Sequence, residues 1–154
     1  GELIVSRNPT TFTSLGLGSC VALFLYDPAE KAGGVAHVML PDSNQVRTSI
    51  VDDEGKFADK SPETLFRRLI NIGGKPERII AKLVGGADMF PLYKTELLSK
   101  LGERTIEKLV EELDALNIHI VDEDVGGNRG RTAFFHLDTG KVLIRTAFGE
   151  DKEI

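Results

Sequence analysis

This chain of 154 residues contains a single cysteine. Cys20 closes the glycine-punctuated segment Ser14-Leu15-Gly16-Leu17-Gly18-Ser19-Cys20. An apolar run follows and leads through Gly33-Gly34 to His37, in Val35-Ala36-His37-Val38-Met39-Leu40-Pro41. A thiol presented by a tight turn, with an imidazole one strand away, is the minimum equipment of a cysteine hydrolase. A free thiol is mostly protonated at neutral pH, so a nucleophilic cysteine needs a base or a positive field beside it. The residues after Cys20 have the composition of a strand, so no helix dipole is expected there and the base would be His37. The imidazole needs a further group to fix its tautomer and orientation, and Ser14 carries a suitable hydroxyl. Gly16, Gly18 and Ser19 are the candidate substrate-contacting or oxyanion positions. Glycines let backbone approach a ligand closely, and the Cys20 amide is a natural donor to a developing negative charge.

The same residues have plainer readings. A cysteine at the start of a strand is commonly a small buried hydrophobe, and a histidine on an apolar strand is commonly a satisfied core residue. Gly16-Leu17-Gly18-Ser19 resembles a phosphate-binding turn in composition, yet it precedes a strand rather than a helix. Two more glycine turns recur, Gly85-Gly86-Ala87-Asp88-Met89-Phe90 and Gly126-Gly127-Asn128-Arg129-Gly130-Arg131. Either they wall the thiol, or they let elements pack closely; Met89-Phe90 reads equally as core or as a patch for a partner.

The elements that must position these residues follow from periodicity. Strands are predicted at residues 3–6, 21–26, 34–40, 78–84, 118–122, 131–137 and 141–147. Asp138-Thr139-Gly140 reads as the hairpin turn between the last two. One helix is predicted to start at Ser61-Pro62-Glu63, with the Ser61 hydroxyl as its cap and Leu65, Phe66, Leu69 and Ile70 as its apolar face. Gly73-Gly74 stops it. A second is predicted over 103–116, with Ile106, Leu109, Val110, Leu113 and Leu116 at helical spacing and Asn117 as its end. The polar stretch 41–56, with Asp52-Asp53-Glu54-Gly55, reads as a surface loop next to His37. Strands and helices do not alternate regularly, so the expected class is α+β, a single domain over 1–154.

Bulk composition limits the remaining possibilities. An apolar fraction of 41% and a charged fraction of 28% describe a globular chain with a genuine core. A net charge of −5 without basic runs argues against a nucleic-acid partner. No apolar stretch spans a bilayer and no signal pattern stands at Gly1, so neither membrane insertion nor export is expected. The expected compartment is the reducing cytoplasm. One Cys and three His do not form a metal cluster at zinc spacing, and no metal is expected.

Leu15-Gly16-Leu17-Gly18-Ser19-Cys20-Val21, then His37-Val38-Met39-Leu40-Pro41, then Gly85-Gly86-Ala87-Asp88-Met89-Phe90, then Gly126-Gly127-Asn128 with Arg131 resemble the CheD family of chemoreceptor glutamine deamidases. The motifs stand in family order and at family spacing, and the resemblance covers nearly the whole chain. It implies that Cys20 is the nucleophile and that His37 is the general base, later the acid for departing ammonia. It implies that Ser14 fills the position of the family's threonine. Serine keeps that hydroxyl but lacks the β-branch that stiffens it. The implied fold is a mixed β-sandwich core with flanking helices, and no cofactor is implied. The implied substrates are glutamines, and in some systems methylated glutamates, on cytoplasmic helices of methyl-accepting chemotaxis receptors. A further implied partner is the chemotaxis phosphatase CheC, one helix of which occupies the deamidase site. Two other functions remain open: an adaptor of a CheC-like phosphatase with vestigial catalysis, and a cysteine hydrolase of another amide or ester.

Overall fold

The apolar run after Cys20 forms a strand buried along its whole length, Val21–Asp27, and the rest of the fold is layered on its two faces. The computed structural model describes residues 1–45, 54–89 and 100–154. In chain order these form β1 (Leu3–Arg7), β2 (Thr11–Leu17), β3 (Val21–Asp27), β4 (Ala32–Val38), α1 (Ser61–Asn71), β5 (Ile80–Gly85), α2 (Leu101–Ala115), β6 (His119–Val125), β7 (Arg131–His136), β8 (Lys141–Thr146) and β9 (Lys152–Glu153). One sheet has the order β1-β4-β3-β5-β6 and the other β2-β7-β8-β9. β5 and β6 pair in parallel, which α2 makes possible as the crossover between them. The class is α+β, as expected, with two sheets and two α-helices among the described residues.

β3 can run apolar from Val21 to Leu25 without alternation because each face of the larger sheet is covered. Val21, Leu23 and Leu25 face the helices, against Leu65 and Leu69 of α1 and Leu109 and Leu113 of α2. Ala22, Phe24 and Tyr26 face the smaller sheet, against Phe12, Ala133, Phe135 and Ile144. Phe135 is central to this second core, 5.0 Å from the Phe24 ring and 5.6 Å, edge-on, from that of Tyr26. The Tyr26 hydroxyl donates to the Leu137 carbonyl at 2.8 Å, so the ring is buried without orphaning its polar end. At the end of β3 opposite Cys20, the buried Asp27 carboxylate accepts hydrogen bonds from the Ala29 and Lys75 amides and from Arg78.

Several sequence expectations need correction. The segment 11–17 is not part of a turn: it is β2, paired with β7 from Thr11↔His136 to Leu17↔Arg131, with a bulge between Ser14 and Leu17. The bulge needs one residue with positive φ, and Gly16, at φ +61°, supplies it. Only Gly18 and Ser19 remain as a bend before Cys20. Ser61 does not cap α1; Lys60 is the N-cap, and the Ser61 hydroxyl is buried within the first turn without a hydrogen-bond partner. Val110 lies 41% exposed rather than on the buried face of α2. Gly73, Asn117 and Gly140 do end α1, α2 and the β7–β8 hairpin, each with positive φ. Half of the predicted 41–56 loop, residues 46–53 with Asp52-Asp53, lies outside the described residues. Its flanks are anchored, since Ser43 donates through both backbone and hydroxyl to Asp59, and Leu40 bridges to Phe57. No helix among the described residues is long and apolar enough to cross a membrane.

Candidate active site

The register of β3 against β4 brings Cys20 and His37 to one place. Val21 pairs with Val38 and Ala22 with His37, so the position opposite Cys20 is Met39 and His37 is its diagonal neighbour. Directly opposed residues point to the same face of a sheet, and alternate residues along a strand do as well. Cys20, Ala22 and His37 therefore share the face that packs on the smaller sheet. Cys20 indeed packs against the core formed between the two sheets. Diagonal neighbours are about 7–8 Å apart at the backbone, within reach for an imidazole and a thiol. No hydrogen bond joins the thiol to the ring among the described residues; the pair is adjacent without being engaged.

Ser14 reaches the site from the other layer. It pairs with Ala133 on β2 and is 5% exposed, on the same inward face as Phe12. It thus looks across the sandwich toward the face that carries Cys20 and His37. Its hydroxyl makes no hydrogen bond to either residue among the described residues.

Burial sets the charge state of this free protein. It pushes the Cys20 thiol above its ordinary value of 9.0, outweighing the pull of the Gly1 amino group and of Cys20's own backbone N–H. Burial also lowers the pKa of His37 below its ordinary 6.5, against the opposing pull of the Glu2 carboxylate. At neutral pH the pair is therefore a thiol beside a neutral imidazole, with the base ready to accept a proton.

The two other glycine turns close around the Cys20 bend. The Gly86 amide donates to the Cys20 carbonyl at 2.8 Å and the Ala87 amide to the Gly18 carbonyl at 2.7 Å. Asp88 in turn donates through its amide to Gly127 at 2.8 Å, and Gly126 to Gly85 at 2.9 Å. Gly85 has φ +118°, and a Cβ on it would run into the Cys20 carbonyl, so this position requires glycine. Arg131 fixes the 126–130 turn, donating to Asp124 at 2.6 Å and to the Gly126 carbonyl at 2.9 Å. The turns thus pack closely on the backbone around Cys20, which is the close-packing reading of their composition. Phe90 lies outside the described residues.

The candidate substrate-contacting positions fare unevenly. Gly16 is exposed, and a Cβ there would meet nothing within 4 Å, so its role in the free protein is the bulge. Gly18 is packed under Met89, where a Cβ would sit 2.9 Å from the sulfur. Ser19 is half-buried in the bend. Apolar side chains near the site are exposed: Met89, read from sequence as core or partner patch, is 42% exposed, and Leu15 at 69% and Met39 at 37% were not singled out. Met39 stands opposite Cys20 and Met89 lies on Gly18, so both stand beside the Cys20 bend, while Leu15 follows Ser14 on the outer face of β2.

A cleft of about 330 Å³ lies beyond the 126–130 turn, lined by Asp124, Arg129, Arg131, Glu150 and Lys152 among others. Cys20 and His37 do not line it, and ion pairs from Asp124 to Arg131 and Lys152 brace its wall. Among the described residues no group of three or more His, Cys, Asp or Glu side chains is arranged to hold a metal ion.

Comparison with known proteins bears on the whole chain. The family model described as CheD chemotactic sensory transduction matches residues 39–146. A chemoreceptor glutamine deamidase CheD of Thermotoga maritima is 41% identical over 152 residues, 99% of this chain and 92% of that protein. A probable chemoreceptor glutamine deamidase CheD of Lachnoclostridium phytofermentans is 39% identical over 153 residues, covering 99% of this chain and 94% of its own length. Another of that description, from Desulforamulus reducens, is 42% identical over 142 residues, 92% of this chain and 84% of that one. The family match begins two residues past His37, whereas the alignments to the Thermotoga and Lachnoclostridium relatives span nearly the whole chain.

Proposed function

Because the chain belongs to the CheD chemotactic sensory transduction family, we propose that it deamidates glutamine side chains of chemoreceptors, with Cys20 as nucleophile and His37 as base. The observation that carries this reading is the β3–β4 register, which makes the thiol and the imidazole diagonal neighbours on one sheet face.

In the proposed reaction a ring nitrogen of His37 takes the Cys20 proton as the sulfur attacks the glutamine side-chain carbonyl carbon. The oxygen of the tetrahedral intermediate receives the Cys20 backbone N–H. Collapse breaks the carbon–nitrogen bond, and the His37 imidazolium returns its proton to the departing ammonia. Water, deprotonated by His37, then attacks the thioester; glutamate and the free thiol result. One water is consumed and one ammonia released per turnover. The same attack on a methyl glutamate ester would release methanol. Ser14 orients the ring from the opposite sheet.

The rim suits a protein substrate. Met39 and Met89 offer apolar contacts beside the Cys20 bend, with Leu15 exposed on β2 next to Ser14, and an amphipathic receptor helix places apolar residues one turn to either side of a surface glutamine. Conversion of that glutamine adds a negative charge to a packed helical bundle on the cytoplasmic side, a change large enough to alter signalling.

The test is mass spectrometry of a receptor cytoplasmic fragment incubated with the protein, beside a Cys20→Ala control. Glutamine-to-glutamate conversion with the intact thiol alone is the expected result. No conversion by the folded protein, or equal conversion by the control, overturns the reading.

A further inference from the structure

β1 enters its sheet beside β4, and the pairing that starts at Leu3↔Ala36 sets Glu2 opposite His37. The His37 backbone amide donates to the Glu2 carbonyl at 2.9 Å, so the ladder extends to this pair. Opposed residues of an antiparallel pair project to the same face, with Cβ atoms about 4.5–5.5 Å apart. The Glu2 carboxylate therefore stands on the face that carries the His37 ring, on the side away from Cys20. From β3 the ring is faced by the Cys20 thiol, and from β2 by the Ser14 hydroxyl, which does not titrate in this range. The charged groups that act on it are Glu2 and the amino group of Gly1.

From this register we infer that Glu2 is a positioning residue for His37: its carboxylate supports the imidazolium formed when the ring takes the Cys20 proton. The logic is that of a third member in a nucleophile–base–acid array, where the acid keeps its own charge and lowers the cost of charging the base. Serine at position 14 supplies a hydroxyl and no charge. A carboxylate on the neighbouring strand supplies the charge that a half-buried imidazole lacks. Electrostatic coupling between the two residues agrees in sign, since the Glu2 carboxylate favours the protonated ring.

This inference rests on the proposed thiol–imidazole chemistry, and its test separates the two. Glu2→Gln keeps the shape of the side chain and leaves the backbone hydrogen bond to His37 in place. The expected result is a His37 titration midpoint, followed by NMR of the ring protons, lower in Glu2→Gln than in the parent protein, with Glu2→Asp between them. On receptor fragments, the acidic limb of the kcat/KM profile should move the same way, and kcat should fall several-fold with KM unchanged. A purely structural Glu2 would change thermal stability and leave the His37 midpoint where it was. An unchanged midpoint in folded Glu2→Gln overturns the inference, whatever the activity. Should the parent fail to deamidate receptor fragments, the function proposed above falls while the NMR comparison still decides the role of Glu2.

Discussion

Cys20 and His37 are diagonal neighbours across β3 and β4, held there by the pairing of Val21 with Val38 and of Ala22 with His37. The antiparallel ladder runs unbroken from Val21↔Val38 to Asp27↔Ala32, so this adjacency is set by backbone pairing rather than by contact between the two side chains. Burial favours the neutral form of both groups. In the proposed reaction the thiol is therefore activated by proton transfer during attack, and no preformed thiolate–imidazolium pair is expected in the free protein.

Alkylation of Cys20 by iodoacetamide reads this charge state directly. The folded-state pKa of the thiol is raised above 9.0, so the thiolate fraction is small at pH 7 and grows only above that value. Alkylation at neutral pH should be slower than for a small free thiol, with a midpoint above 9.0 in a rate–pH series. A midpoint well below neutrality would show a thiolate already formed and remove the general-base assignment. On receptor fragments, His37→Gln should lower kcat by about 10²–10⁴-fold, the range of a lost general base.

Gly85 connects the 85–89 turn to Cys20. Its φ of +118° is strained for any other residue, and a Cβ would run into the Cys20 carbonyl. Gly126 has φ +73° and open space around a Cβ, so it isolates the backbone cost alone. Gly126→Ala should cost about 1–2 kcal/mol with kcat retained. Gly85→Ala should cost more and should also slow deamidation, because relief of the clash moves Cys20. Thermal melts of both variants together with kcat are the check; equal kcat in the two would detach the turn from the thiol.

The elements most legible in the sequence were those whose pattern had one physical cause. β3 is covered on both faces and reads as a continuous apolar run, and Gly73 and Asn117 end helices where positive φ is needed. β2 was hidden because its inward set, Phe12, Ser14 and Leu17, includes a serine and is put out of phase by the bulge at Gly16. Ser61 gave the signature of a cap, yet the turn from Phe57 to Lys60 starts the helix one residue earlier. Cys20 and His37 were legible as a candidate pair, residue types one strand apart. Their adjacency depends on register, which residue types do not reveal. The place of Glu2 beside His37 was illegible for the same reason.

Asp27 makes a pH-dependent contribution to stability at the far end of β3. Burial opposes its charge, but Arg78 and the amides of Lys75, Glu30 and Ala29 outweigh burial and hold the carboxyl at about 2. The unfolded value is 3.8, so the group's contribution is present above that pH and is lost as pH falls through about 2. It amounts to about 2 kcal/mol at neutral pH. Asp27→Asn should therefore lower stability by about that amount at pH 7, and the gap should close toward pH 2. Denaturant melts of both proteins between pH 2 and 7 measure it; a gap independent of pH would mean that shape, not charge, is what Asp27 contributes.

The apolar rim provides a test of what docks at the thiol. Leu15 is 69% exposed on the bulged end of β2, and its neighbour Ser14 faces inward, so a change at Leu15 alters the surface without entering the core. If an amphipathic helix is the substrate, Leu15→Glu places a charge against its apolar side and should raise KM about tenfold, or roughly 1.4 kcal/mol of lost binding. kcat and the alkylation rate of Cys20 should stay near parental values, since neither the thiol nor its base is touched. Met89→Glu is less clean, because Met89 also covers Gly18 and Gly130. Steady-state kinetics of Leu15→Glu on a receptor fragment settle the matter: an unchanged KM would place the docking helix elsewhere, and a fall in kcat alone would make Leu15 part of the site's architecture instead of its docking surface.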